Sequence, residues 1–331
     1  MNPPKCEELD YINFLIAAQR VFSSTEASRT HPAEEQGPAH DAYTRLLKRI
    51  PPDSQMLWQE VEPLIERKAG VLVIDDSTLD KPYAAKMALV TRHWSGKHGR
   101  VVQGINLISL VWTNGECRLP CDFRLYHKAQ DGLTKNDHFQ HLVRQAKERG
   151  FVPEIVAFDS WYSGLANLKL LRDLKWDWLT QLKANREVSI DRSGNRALRD
   201  IFIPVQGCLV HLKGYGWVKV FRTVSTNGDA EYWATSRLDL TIEQAAFYAL
   251  DAWQVEVYHR GLKQFTGIER ALYRLEVSQR NHIGLAIRAF VRLELYRLTT
   301  GMSWFEAKTS IIRSAMRLYL AQPSITLFST A

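Results

Sequence analysis

Four consecutive apolar residues, Val71-Leu72-Val73-Ile74, run directly into two carboxylates, Asp75 and Asp76. A short apolar run bounded by polar residues reads as a strand buried on both faces. Strands of that kind belong to α/β sheets covered by helices. An acid placed directly after such a run is costly unless it is paired, protonated or bound to a metal. The pattern therefore predicts an α/β core whose buried strand presents acid at its carboxyl end, where open sheets bind their ligands.

The residues that follow extend this core. Residues 101–112 and 118–126 read as two further strands, with Asn114-Gly115 supplying the hairpin turn between them. Residues 134–150 read as a helix stopped by Gly150, and residues 155–158 as a fourth strand ending in Asp159. Residues 165–174 are helical in pattern and residues 178–182 form a fifth strand. Three antiparallel strands followed by helix, strand, helix, strand is the order of an RNase H-like α/β core with a mixed sheet. Strands at 201–205, 208–212, 217–224 and 231–235 then predict a β-rich insertion. The expected division is a helical region over 1–68, the first part of the core over 69–185, the insertion over 186–238, a helical second part over 239–300 and a tail over 301–331. In the first region, helices are expected at 9–22, 42–50 and 56–65, with a polar loop at 23–39.

The helical second part carries one more acid. Thr241 and Gln244 fit a capping box, and Ile242, Ala246, Ala249, Trp253 and Val257 recur as one apolar stripe. Glu256 falls about 60° off that stripe, with Arg260 and Lys263 on its own face. Gly267 is the expected stop. On an isolated helix such an i,i+4 pair contributes only about 0.3–0.5 kcal/mol. Asp76, Asp159 and Glu256 converge if this helix packs beside both acidic strands, and Asp75 competes with Asp76 for the first position.

Such a carboxylate set has a definite use. Breaking a phosphodiester needs an activated oxygen nucleophile and a stabilised leaving oxygen. Two divalent ions about 3.5–4 Å apart, bridged by shared carboxylates, supply both. Mg²⁺ suits oxygen ligands, with Mn²⁺ as a substitute.

Charge and composition narrow the partners. The chain has 43 Lys and Arg against 36 Asp and Glu. From 257 to 320 eleven cations face four carboxylates, which is the whole of the net excess of +7. A basic segment of this kind is the footprint of a phosphate-backbone binder. The 45 % hydrophobic and 24 % charged content excludes a wholly disordered chain. No run of 18 apolar residues predicts a membrane span, and the polar start carries no signal-peptide pattern, so a cytoplasmic protein is expected. Four Cys do not form a disulfide scaffold, and Cys117, Cys121, Cys208 and His211 make a poor zinc set. Walker, GxGxxG and HExxH patterns do not occur.

Three stretches carry a family likeness. Ile74-Asp75-Asp76-Ser77-Thr78, Phe158-Asp159-Ser160-Trp161-Tyr162 and Trp253-Gln254-Val255-Glu256 with Lys263 resemble the Asp-Asp-Glu motifs of insertion-sequence transposases. Within that family the residues resemble the insertion-sequence 701 group of the insertion-sequence 4 clan, and Leu79 to Tyr83 and His93 to His98 add to the likeness. It runs from about residue 46 to about residue 298. It implies an RNase H-like catalytic domain, divalent metal (two Mg²⁺) and cut-and-paste DNA transposition near the bacterial nucleoid. Motif matching puts the catalytic acids at Asp76, Asp159 and Glu256. The clan's Tyr-x2-Arg-x3-Glu-x6-Lys signature is met at Glu256 and Lys263, but its Arg position is Ala252 and its Tyr position Ala249, beside Tyr248. DNA contacts are expected at Lys263, Arg260, His259, Lys97 and Trp161, the last by stacking on an unpaired base. The partners implied are element-end and target double-stranded DNA, held by a homodimer. The rival expectations are a transposase-derived DNA-binding protein without catalysis, and an RNase H-like nuclease that cuts without joining.

Overall fold

The computed structural model describes residues 4–84, 86–95, 99–225 and 227–325. Its chain divides into two compact units, one of residues 1–53, 86–88 and 260–331, the other of residues 54–85 and 89–259. The elements in order are α1 (Glu8–Ala17), α2 (Ser24–Arg29), α3 (His40–Arg49), α4 (Gln55–Val61), β1 (Val71–Asp80), β2 (Thr91–Ser95), β3 (Arg100–Thr113) and β4 (Leu119–Tyr126). There follow α5 (Lys128–Asp131), α6 (Lys135–Glu148), β5 (Ile155–Phe158), α7 (Leu165–Asp173), β6 (Trp178–Leu182), β7 (Glu187–Val188) and β8 (Arg196–Ala197). The last elements are β9 (Cys208–Leu212), β10 (Gly216–Val224), β11 (Ala230–Thr235), α8 (Ile242–Ala252), α9 (Gln254–Phe265), α10 (Glu276–Thr300) and α11 (Trp304–Ala321).

The larger unit is built on one mixed sheet in the order β2-β3-β1-β5-β6-β11-β10-β9, with β4 also paired to β3. β1 runs antiparallel to β3 and parallel to β5, and β5 runs parallel to β6. The path β4-β3-β1-β5-β6 is thus the RNase H-like arrangement expected from the sequence. Its central strands are apolar on both faces because helices cover them: α6 packs on β3 and β4, and α8 on β1, β5 and β6. Three strands of the β-rich stretch, β9, β10 and β11, extend this same sheet, since β11 pairs antiparallel with β6, while β7 and β8 pair with each other in a separate two-stranded sheet.

Several local expectations are corrected. β1 does not stop at Ile74 but continues to Asp80, because the 14-residue β3 keeps pairing with it as far as Gly104. Asp75 and Asp76 therefore sit mid-strand. The parallel ladder with β5, however, does end at Ile74 and Phe158, so the acids lie just beyond it. Residues 201–205 form no strand; Pro204 has no N–H to give a ladder. The polar stretch 23–39 contains α2, whose N-cap Ser23 accepts a hydrogen bond from Glu26 N. β2 was not expected. The stripe through Trp253 is not one packed helix face. The helix breaks at Trp253, which is 57 % exposed, while Ala245, Tyr248 and Asp251 are the buried side of α8. Ile242, Ala246, Ala249 and Trp253 of the stripe instead line a groove with Phe221 and Trp233 of β10 and β11.

The smaller unit is helical. α1 and α3 pack on α10, which is buried on most of its circumference. Part of the basic segment is consumed here: Arg288 pairs with Glu8, Arg297 with Glu294 at 2.9 Å, Arg280 with Glu276 at 2.7 Å and Lys263 with Glu269 at 3.3 Å. Lys308 is buried and donates to the carbonyl oxygens of Phe265 at 2.6 Å and Leu15 at 3.4 Å. Burial lowers its ammonium to about 8. A lysine whose folded value lies below its unfolded one binds fewer protons in the native state. Stability is therefore expected to rise between pH 8 and about pH 10.5, by about 1 kcal/mol or more. Urea denaturation across that range measures it, and Lys308→Met should flatten the rise. Among the described residues, no helix is long and apolar enough to cross a membrane.

Candidate active site

β1 turns its two acids to opposite sides, because successive strand residues point to opposite faces. Asp76 faces the start of α6. Its Oδ2 accepts from Lys135 Nζ at 2.8 Å and from Asn106 Nδ2 at 2.7 Å, and its Oδ1 accepts from Tyr162 Oη at 2.8 Å. Burial alone would raise this carboxyl, but the Lys135 ammonium and the three donors outweigh it and hold it below the usual range. Lys135 is placed by the capping box of Thr134 and Asp137 that starts α6. Its ammonium also lies 5.6 Å from the centre of the Trp161 ring.

Asp75 faces α9. Its Oδ2 is 3.7 Å from His259 Nδ1. Oxygen or nitrogen atoms of Asp75, Glu256 and His259 all lie within 4.8 Å of one another. Burial, followed by the charges of Asp76, Asp159 and Glu256, drives the Asp75 carboxyl well above its ordinary value. Asp159 follows β5 directly and caps the short turn Ser160–Tyr162, accepting from Trp161 N at 2.9 Å. Burial and the charge of Asp76 raise it against those backbone hydrogen bonds. Asp75, Asp76, Asp159 and Glu256 thus lie close enough for their charges to oppose one another. Carboxylate oxygens in this number, two of them on groups raised by burial and then by their neighbours' charge, fit a divalent cation.

The other expected residues are placed as follows. Trp161 is 57 % exposed and has the Lys183 ammonium 5.9 Å from its ring centre as well as that of Lys135. It borders a cleft of ≈ 490 Å³ that is also lined by Lys183, Arg186 and Lys213. Arg260 is exposed on α9. Lys263 is half-buried on its pair with Glu269. His259, expected as a DNA contact, is only 3 % exposed, with its ring directed at Asp75 and Ser109 rather than solvent. Lys97 lies outside the described residues. The sequence reading missed Asn106 and Ser109. Both are polar residues at 0 % exposure inside the apolar run of β3, and that interruption is the signal that marks them. Cys117 and Cys121 are buried thiols and Cys208 is half-buried.

The two β1 acids should respond oppositely to neutralisation. A raised folded value means that Asp75 reduces stability as pH rises through the window above about 3.9. The lowered value of Asp76 contributes stability that is present at neutral pH and lost in acid. In EDTA at pH 7, Asp75→Asn is expected to raise the thermal midpoint, by about 1 kcal/mol in free energy, and Asp76→Asn to lower it by a similar amount. Calorimetric melts of both variants check the two signs.

Residues 13–195 match the family model described as DDE superfamily endonuclease. No curated protein sequence matches the chain. Among solved structures, a piggyBac transposase synaptic complex with hairpin DNA aligns over 98 % of this chain and 74 % of that one, at TM-score 0.52 and 11 % identity. A Drosophila P element transposase strand transfer complex aligns over 96 % and 86 %, at TM-score 0.29 and 10 % identity. A Mos1 transposase paired-end complex aligns over 54 % and 59 %, at TM-score 0.20 and 11 % identity. The likeness in fold is carried by the first of these.

Proposed function

Because the chain belongs to the DDE superfamily endonucleases, we propose that it is a metal-dependent DNA transposase that cuts at the ends of an insertion sequence and joins them to target DNA. The observation that carries this reading is the meeting of Asp75 and Glu256 on one side of β1, with Asp159 at the end of the adjacent parallel strand. Divalent ions, Mg²⁺ in the first place, would be held by Asp75, Asp159 and Glu256. When bound they would lower the pKa of a water or a DNA 3′-hydroxyl and offset charge on the leaving oxygen. Asp76, which motif matching favoured as the first catalytic acid, is assigned here to Lys135. By fixing that ammonium it leaves a cation beside the acids to meet the scissile phosphate. The basic cleft beside Trp161 is suited to the flanking DNA backbone. Exposed Arg260, Arg270, Arg274, Arg313 and Arg317 would bind the element ends. The insertion-sequence 701 type and a homodimer holding two ends belong to the same proposal and rest on the motif likeness.

The test is a joining assay on DNA that flanks the gene, with a supercoiled plasmid as target and Mg²⁺ or Mn²⁺ present. Joined products with both ends at one target site are expected. Cutting without joined products would leave a nuclease, and specific binding without cutting would leave a DNA-binding protein.

A further inference from the structure

His259 is an unusual occupant of a carboxylate site. It sits on α9 three residues after Glu256, one helical turn on, so the two side chains share a face. Its ring is 97 % buried, and its two nitrogens have different surroundings. Nε2 lies 3.3 Å from Ser109 Oγ on β3. Nδ1 points at Asp75 Oδ2 across 3.7 Å. That separation is beyond hydrogen-bond reach, whereas the Ser109 contact lies at its long end. The separation from Asp75 falls inside the range spanned by two ligands on one ion: bonds of about 2.1 Å put neighbouring ligands about 3 Å apart and opposite ones about 4.2 Å apart. Metal-bound imidazoles characteristically donate their second N–H to an oxygen, which fixes tautomer and ring plane. Ser109 Oγ stands where that acceptor is required.

We propose that His259 Nδ1 is a metal ligand, so that the site of Asp75 and Glu256 is a mixed carboxylate–imidazole centre that favours Mn²⁺ over Mg²⁺. This rests on the reading of Asp75 and Glu256 as metal ligands and deepens it. Imidazole nitrogen suits first-row transition ions, whereas Mg²⁺ takes oxygen donors and keeps its waters. Ser109 is the positioning residue that holds the ring with Nδ1 inward. An imidazolium paired with Asp75 is the competing account of the same geometry, and it predicts that the ring stays off the metal.

The experiment is pulsed electron paramagnetic resonance of Mn²⁺ bound to the full chain, grown with natural-abundance or ¹⁵N-labelled histidine. Nitrogen modulation that changes with the label is expected in the wild type. It should vanish in His259→Asn, which keeps a polar group near Ser109. Calorimetric titration should show Mn²⁺ affinity falling about tenfold or more in that variant, with Mg²⁺ affinity changed much less. Mn²⁺ bound to the wild type without histidine coupling overturns the proposal, as does coupling that survives in His259→Asn. An equal loss of both metals overturns it too, since that is the mark of a merely structural role. The labelled wild-type spectrum carries the test even if the variant does not fold. Absence of Mn²⁺ binding to the wild type would sink the carboxylate reading as well, which separates the two failures.

Discussion

Asp75→Asn and Glu256→Gln are each expected to reduce DNA cleavage by about 10³-fold or more, while Asp76→Asn reduces it far less. Metal-dependent phosphodiester cleavage relies on ligand charge at the attacking and leaving oxygens, and an amide in place of one carboxylate removes it. Asp75 and Glu256 meet with His259 on one side of β1. Asp76 is turned to the other side, where Lys135, Asn106 and Tyr162 already occupy both of its oxygens. Its loss frees Lys135 and loosens the placement of a phosphate, an effect of about 10–100-fold for a supporting residue. Single-turnover cleavage of flanking DNA at saturating Mn²⁺ measures all three. If Asp76→Asn is inactive and Asp75→Asn retains activity, the assignment of the two acids is reversed.

Gly267→Ala is expected to destabilise the helical unit by about 3 kcal/mol, against about 1 kcal/mol for Gly301→Ala. The two glycines form a matched pair. Each follows the end of a helix, α9 or α10, with φ of +66° and +73°. A side chain pays the left-handed backbone penalty at both. They differ in surroundings: a Cβ on Gly267 would lie 2.3 Å from the Phe22 ring, whereas one on Gly301 meets nothing within 4 Å. Phe22 packs edge-on against Phe14 and is buried, so it has little room to give. Equal effects of the two substitutions in urea denaturation would mean that Phe22 moves aside without cost.

The strands and helices of the core were legible because their signals are local. The apolar run before Asp75, the Asn114-Gly115 turn, the Thr134 cap and the Gly150 and Gly267 stops each act within a few residues. What escaped depends on which neighbour covers a face. The helix over 242–257 has apolar residues on two sides, so periodicity alone chose the stripe through Trp253. Packing against β1, β5 and β6 buries Ala245 and Tyr248 instead. Which of Asp75 and Asp76 faces α9 is of the same kind. Adjacent positions on a strand necessarily face apart, but only tertiary structure shows which face meets α9. β2 escaped because its residues, Thr91-Arg92-His93-Trp94-Ser95, lack clean alternation, and its pairing with the far end of β3 is what makes it a strand. The basic segment, in turn, was read from its sum. Pairing of Arg280, Arg288 and Arg297 inside the helical unit leaves a smaller set of exposed arginines.

The central claim is that Asp75 of β1, Asp159 after β5 and Glu256 of α9 hold one metal centre, with Asp76 outside it. Anomalous diffraction from crystals soaked in Mn²⁺ tests it most directly. The account predicts a peak bounded by Asp75, Asp159 and Glu256, lost in Asp75→Asn. A peak on the other side of β1, among Asp76, Tyr162 and a displaced Lys135, would contradict it.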